Sequence, residues 1–410
     1  MEFLTVDSLD TARQKLLAGA KAWLASKAHI PLSEACGRIT AADIHAAEDI
    51  PNFPRSTVDG YAVLSADTAG AGESIPVFLT LKGRVEMGQP ADFAITSGQC
   101  AEVPTGGMLP AGADAVTMVE YTEPFGTDGI AVSQSTAHGE NLVLPGEDMR
   151  AGEVILQRGR RILPQDIGAL AAAGVRTIPV YVSPNVTILS TGDELVSPEQ
   201  TPAPGQIRDI NTPALCALAQ KHGLTVRDTA VLPDEESVLE TAVKSAMTHS
   251  DIVIVSGGSS KGKKDLTGLV FDRLSAPGVF THGIAIKPGK PTILGYDAPS
   301  QTILVGLPGH PVSAMMVFEL ILGWLLREVT GSPAPPEIPA QLACNAASSP
   351  GKLTCWPCSL SHADGTYTAQ PIFGKSGLIT TLTRADGYFI VSRDTEGLQT
   401  GETVMVHLFS

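Results

Sequence analysis

Five lysines, Lys261, Lys263, Lys264, Lys287 and Lys290, cluster in a chain whose formal net charge is −15. Such a local cationic group in an acidic protein points to an anionic ligand that must be held against an unfavourable overall field. Three loops of one segment, residues 251–313, carry the chemistry. In Ser256-Gly257-Gly258-Ser259-Ser260 and the following KGKKD, Gly257 and Gly258 let backbone N–H groups approach phosphate oxygens. Ser260 adds a donor, and Asp265 is suited to hold Mg²⁺ beside those oxygens. The G-x-x-x-x-G-K-[ST] spacing of a Walker A loop is absent. A basic surface loop is the other reading. In Lys287-Pro288-Gly289-Lys290-Pro291 two cations sit on a turn stiffened by two prolines, which suits a tetrahedral oxyanion. Pro308-Gly309-His310-Pro311 joins an apolar run to an apolar helix, with Pro311 fitting the first helical position. His310 there is a ligand, a cap or a packing residue.

Other stretches are weaker signals. Thr191-Gly192-Asp193-Glu194-Leu195 follows NVTILS and offers a hydroxyl and two carboxylates to a metal or a sugar hydroxyl; a polar turn would read the same. Asp59-Gly60, in STVDGYA, reads locally as a turn. Cys355-Trp356-Pro357-Cys358, with Cys344 before it and His362 after it, admits zinc or a redox pair. It lacks the βαβ setting of a thioredoxin-like motif, and six cysteines in 410 residues make no disulfide framework.

Each of the three loops follows a β-type run: Asp251–Val255, Gly283–Ile286 and Thr302–Leu307. Ligands of open α/β sheets bind at the carboxyl ends of the strands. Residues 179–328 alternate β and α patterns, predicting a mostly parallel, doubly wound sheet. Before them, residues 7–28 predict an amphipathic helix, with Asp7 as N-cap and Leu9, Ala12, Leu16, Ala20 and Trp23 on one face. Residues 31–50 predict a second helical piece. Residues 51–150 carry short apolar runs between Gly, Pro and Asp, and predict a small β-rich domain. Residues 160–178 return to helix between Pro164 and Gly174. Beyond the proline-rich linker 330–340, residues 341–410 predict a small β domain or barrel. The expected division is a helical domain (1–44 and 141–178), an inserted β-rich domain (45–140), the α/β domain (179–328) and a C-terminal β-barrel (329–410). A length of 410 residues suits two to four domains.

The acidic balance argues against general nucleic-acid binding. The first residues, MEFLTVDSLDTARQ, lack the n- and h-regions of a signal peptide, and the longest apolar stretch, Val312–Leu326, contains Glu319. A cytoplasmic protein without a membrane partner is expected.

Taken together, RSTVDGYAV (55–63), PTGGMLPAGADAV (104–116), GED (146–148), STGDEL (190–195), IRDIN (207–211), SGGSSKGKKD (256–265), AIKPGKP (285–291), GLPGHPVSA (306–314) and GKSGLITTLTRADG (374–387) resemble the MoeA family of molybdopterin molybdenumtransferases, relatives of the gephyrin E domain. The resemblance covers nearly the whole chain. It implies a homodimer whose site lies between the α/β domain of one subunit and N-terminal parts of the other. The implied reaction takes adenylylated molybdopterin and molybdate, uses Mg²⁺, releases AMP and leaves molybdenum on the dithiolene. By the same resemblance Asp59 is the carboxylate needed for activity, and Thr105 lies in a substrate-binding TG motif. Glu194, Asp234 and Asp265 are acidic site positions, with Glu194 and Asp265 for Mg²⁺. Ser260, Lys287, Lys290 and Pro291 form the oxyanion pocket, Pro308 and Pro311 the proline loop, and Thr381 supplies a hydroxyl from the C-terminal domain. Gly257 and Gly258 belong to the substrate loop.

The chain departs from the family pattern in three places. It has GGSSKGKK where many relatives have GGVSVG, NLVLP (141–145) where arginines are frequent, and Pro357 where an arginine lies near the oxyanion pocket. Lys261, Lys263 or Lys264 would compensate. Tungstate in place of molybdate, a molybdopterin adenylyltransferase and a non-catalytic gephyrin-like binding protein are the other readings. A molybdopterin adenylyltransferase is also a candidate partner. The separate DGYA region argues against adenylyl transfer as the activity. Retention of Asp59, Asp265, Lys287 and Lys290 argues against a purely binding role.

Overall fold

The computed structural model describes residues 6–257 and 266–409. The chain divides into two compact units. One comprises Met1–Ala42, Arg158–Leu163 and Thr177–Ser410, and the other Asp43–Gln157 and Pro164–Arg176.

The first unit is built on a six-stranded sheet in the order Thr225–Leu232, Asn185–Thr191, Ile252–Ser256, Thr302–Leu307, Ile293–Asp297 and Pro277–His282. The first four strands pair in parallel; Ile293–Asp297 pairs antiparallel with Thr302–Leu307, and Pro277–His282 antiparallel with Ile293–Asp297. Ile252–Ser256 and Thr302–Leu307 are buried throughout, as near-continuous β-branched and leucine runs must be when both faces are covered. Alternation along one strand shows the two faces. Ile252 and Ile254 join the core that holds Leu9, Ala12, Leu16, Ala20 and Leu215, whereas Val253 and Val255 join the core of Leu239, Val243 and Phe271. The doubly wound expectation therefore holds. Helix Leu9–Leu24 contributes its apolar face to the first of these cores; Ser8, not Asp7, is its N-cap. The side chain of Trp23 lies outside the described residues.

One of the three expected runs is not a strand of this sheet. Positive φ at Gly283 (106°) turns the chain there, and the antiparallel edge strand is the preceding Pro277–His282. Ile286–Lys287 pairs instead with Leu353–Thr354 of the C-terminal sheet. The apolar helix expected to start at Pro311 runs as Pro311–Phe318, a π-helical turn Glu319–Gly323, and Trp324–Thr330 ended by Gly331 at φ 72°. The π register frees a carbonyl, and Arg13 Nε donates to Leu320 O at 2.8 Å.

The expected helix in 31–50 does not form. Lys27–Pro31 is a strand antiparallel to Thr177–Tyr181, followed by a single 3₁₀ turn, Leu32–Glu34. The amides of Thr40 and Ala41 donate to Arg160 O and Pro179 O. Long-range partners thus replace i−4 carbonyls, and Gly37 at φ 80° breaks the run. After residue 330 the barrel expectation is met. Leu353–Ala363, Thr366–Pro371, Glu337–Leu342, Thr403–Leu408 and Gly387–Val391 close into a ring, because the first pairs with the last.

The second unit carries a six-stranded sheet in the order Ala115–Met118, Gly60–Val63, Gln99–Val103, Val77–Arg84, Gly129–Val132 and Thr122–Phe125. It also includes helix Pro164–Ala172, followed by Gly174 at φ 70°. Among the described residues no helix is long and apolar enough to cross a membrane.

Candidate functional site

In the first unit a cavity of about 650 Å³ opens at the carboxyl ends of Asn185–Thr191, Ile252–Ser256 and Thr302–Leu307. Glu194, Asp234, Gly257, Pro291, Pro308 and Pro311 all line it. Gly257 sits at φ 116°, and a Cβ there would lie 2.4 Å from Thr191 O, so the loop passes the neighbouring strand end only as glycine. Asn211, at the start of helix Asn211–Lys221, ties two loops together: its Nδ2 donates to Ser256 Oγ at 2.7 Å and to Gly309 O at 2.8 Å. Asp193, the other carboxylate of the TGDE turn, accepts from the Asp234 amide at 3.0 Å.

Two polar atoms of this lining, Thr191 Oγ1 and Asp234 Oδ1, are buried without a hydrogen-bond partner among the described residues. Buried polar groups are rarely left so unless something binds them. Replacing Thr191 by the isosteric valine removes an uncompensated hydroxyl, and we expect Thr191→Val to stabilise the ligand-free protein by about 1 kcal/mol in urea unfolding. A fall in stability would mean that the hydroxyl is satisfied.

A second cavity, about 720 Å³, adjoins the first, since Pro291, Pro308 and His310 line both. It lies between the Lys287–Pro291 loop and the barrel, where Ile286–Lys287 adds to strand Leu353–Ala363. Lys287 and Lys290 line it, as does Thr381, which is 8% exposed. Lys287 Nζ donates to Ser349 Oγ at 3.1 Å. His310 precedes helix Pro311–Phe318, makes no side-chain cap bond, and places Nδ1 2.8 Å from Ser376 Oγ. Lys352 and Lys375 also line this cavity, and sequence reasoning missed both. Lys375 stood in the quoted GKSG motif, and Lys352 follows a Pro-Gly pair as Lys290 does.

In the second unit Asp59 is more than a turn residue. Its Oδ1 accepts from Thr105 N at 2.7 Å and from Thr105 Oγ1 at 3.0 Å. The backbone bond, then the hydroxyl bond, holds this exposed carboxyl below the usual aspartate range. The following Gly60 has no space for a side chain, because a Cβ would meet Thr117 O at 2.0 Å. Gly258, Ser260, Lys261, Lys263, Lys264 and Asp265 lie outside the described residues.

The cysteines do not converge. Cys355 packs in the core of the α/β sheet and Cys358 in that of the barrel. Burial pushes both thiols up to about 12. Cys344 contacts Gln370, and the His362 ring lies against Tyr367. Among the described residues no three His, Cys, Asp or Glu side chains gather to hold a metal ion.

Three family models match in chain order: the MoeA N-terminal region (domain I and II) over residues 7–174, the probable molybdopterin binding domain over 187–328, and the MoeA C-terminal region (domain IV) over 339–409. The molybdopterin molybdenumtransferase of Bacillus subtilis is 32% identical over 390 residues, covering 92% of this chain and 89% of that protein. The chain belongs to the MoeA family. The molybdopterin molybdenumtransferase of Haemophilus influenzae is 31% identical, with 98% of each chain covered. A crystal structure of a molybdopterin biosynthesis MoeA protein from Pyrococcus horikoshii superposes with a TM-score of 0.82 at 33% identity, covering 99% of this chain and 100% of that one. The strand-end cavity falls within the residues of the molybdopterin-binding model, apart from Gly377. The lysine-lined cavity is shared between those residues and the MoeA C-terminal region.

Proposed function

We propose that this MoeA chain is a molybdopterin molybdenumtransferase that inserts molybdate into adenylylated molybdopterin and releases AMP. The observation that carries this reading is the pair of adjoining cavities. One is a strand-end pocket with carboxylates and a glycine loop; the other is lined by lysines and hydroxyls, with no acidic group among the described residues. The first suits the pterin and its phosphate, with the Gly257 backbone close to the ligand. The second suits a tetrahedral dianion, which Lys287, Lys290 and the Thr381 hydroxyl would hold and orient. Adjacency would bring the oxyanion to the dithiolene without diffusion through solvent.

Mg²⁺ fits the strand-end cavity. Asp234 carries there a buried carboxylate oxygen with no partner among the described residues, and Glu194 lines the same space. These two would hold the ion, with Asp265 as the third acidic position that the resemblance implies. When bound, it would neutralise charge developing on the adenylyl phosphate. The chain's own part is to fix the phosphate against the Gly257 loop and to keep the oxyanion beside it. A cytoplasmic homodimer, handed its substrate by an adenylyltransferase, completes the proposal.

The test is to combine purified protein, adenylylated molybdopterin, Mg²⁺ and molybdate, and to follow AMP. AMP should appear with molybdate and fall roughly tenfold at fixed molybdate in Lys287→Ala. Tungstate in parallel reports whether the pocket separates two dianions of similar size. Failure to release AMP with either oxyanion would overturn the transferase reading.

A further inference from the structure

The second cavity holds more charge than the family motif requires. Lys352 lies in the turn before strand Leu353–Ala363, and Lys375 in the loop after Thr366–Pro371. Both line the same space as Lys287 and Lys290, and among the described residues no Asp or Glu lines it. Among the described residues none of these four lysines forms an ion pair. All four line one cavity of about 720 Å³, and like charges within about a Debye length, ~8–10 Å in physiological solution, repel one another. Two of them belong to the loop beside the central sheet and two to the barrel.

Resting on the oxyanion reading above, we infer that Lys352 and Lys375 are further anion-binding residues of this cavity. They close it from the barrel side. Pro357 itself lines the cavity, buried, with no charge to offer. Without an anion the four ammonium groups repel across the seam between the sheet and the barrel. A dianion cancels that repulsion and bridges the two sides. The same side chains therefore destabilise the empty protein and stabilise the loaded one, which distinguishes a ligand-binding role from a packing role.

The experiment uses the full chain and sodium molybdate alone, followed by calorimetric titration at two salt concentrations and by thermal unfolding. Lys352→Gln and Lys375→Gln should each weaken molybdate binding roughly fivefold, and the double substitution should weaken it further and flatten the salt dependence. Lys→Arg at either position should restore affinity. The double variant without molybdate should melt at or above the wild type, and its gain on adding molybdate should shrink. If Lys287→Ala weakens binding while the Lys352 and Lys375 variants bind like the wild type, the inference is overturned and the transferase reading stands. If the wild type itself binds no molybdate, both are overturned.

Discussion

Asp59→Asn should abolish AMP release, lowering the rate by about 100-fold or more, while the protein unfolds at an unchanged temperature. The substituted amide would still offer an oxygen to Thr105, so the local turn survives, and the exposed side chain contributes little to packing. What is lost is the negative charge. In the wild type two hydrogen bonds from Thr105, the backbone one first, hold the Asp59 carboxyl below its ordinary 3.8. A depressed carboxylate stays ionised as pH falls towards that value, so Asp59 serves as a fixed anion and not as a proton donor near neutrality. Activity of the wild type should accordingly show no acid limb from this group between about pH 5 and pH 8. Thr105→Val removes the weaker of the two bonds. It should move any acid limb upward, because the carboxyl then returns towards its ordinary value. Steady-state AMP release and its pH profile are the measurements. Near wild-type turnover in the Asp59→Asn enzyme would remove Asp59 from the chemistry.

The Thr105–Asp59 hydrogen bonding was not visible in the local sequence, where Asp-Gly reads as a turn. The two residues that define it are 46 positions apart, and their hydrogen bond exists only once strands Gly60–Val63 and Gln99–Val103 pair. It was the resemblance to MoeA that pointed to Asp59. The strand-end cavity was more legible, because continuous apolar runs such as IVIVS have one good solution, a buried parallel strand, and the glycine-rich loop after it must then lie at the sheet's carboxyl edge. The Gly283–Ile286 run misled for a related reason. Ile284 and Ile286 are indeed buried, yet glycine at positive φ turns the chain, and the pairing goes to the barrel. Burial was readable there and the partner was not. The stretch 31–50 failed in the same way, its alanines and glutamates favouring helix locally while its amides found partners more than a hundred residues away. Lys352 and Lys375 are loop lysines of ordinary appearance, and only barrel closure brings them to Lys287.

Glu319→Ala should cost about 3 kcal/mol and lower the midpoint of thermal unfolding by roughly 6–10 °C. Glu319 opens the π turn of the long C-terminal helix of the α/β region and is largely buried. His222 Nε2 donates to its Oε2 at 2.9 Å, Lys221 Nζ lies 3.4 Å from Oε1, and Lys221 also reaches Phe409 O. Gly323 makes the arrangement possible, since a Cβ there would meet His222 Cε1 at 2.8 Å. Removing the carboxylate leaves the buried imidazole without its partner and a cavity beside Phe318, whose ring lies 5.7 Å from that of His222. Burial alone would raise the Glu319 carboxyl, but the hydrogen bond and charge of His222, with Lys221, outweigh it and hold the carboxyl below its ordinary 4.5. The sign of the pH dependence follows. A carboxyl depressed in the folded state adds stability that is fully present above its unfolded value and lost as pH falls through the folded one. The gap between wild type and Glu319→Ala should therefore be widest above about pH 4.5 and narrow below it. Glu319→Gln, which keeps the shape and an acceptor, should lose less than alanine at pH 7, and its gap from the wild type should also narrow in acid. Urea unfolding of the three proteins at pH 7 and pH 4 measures both effects, and equal stability of all three at pH 7 would show that the cluster contributes nothing net.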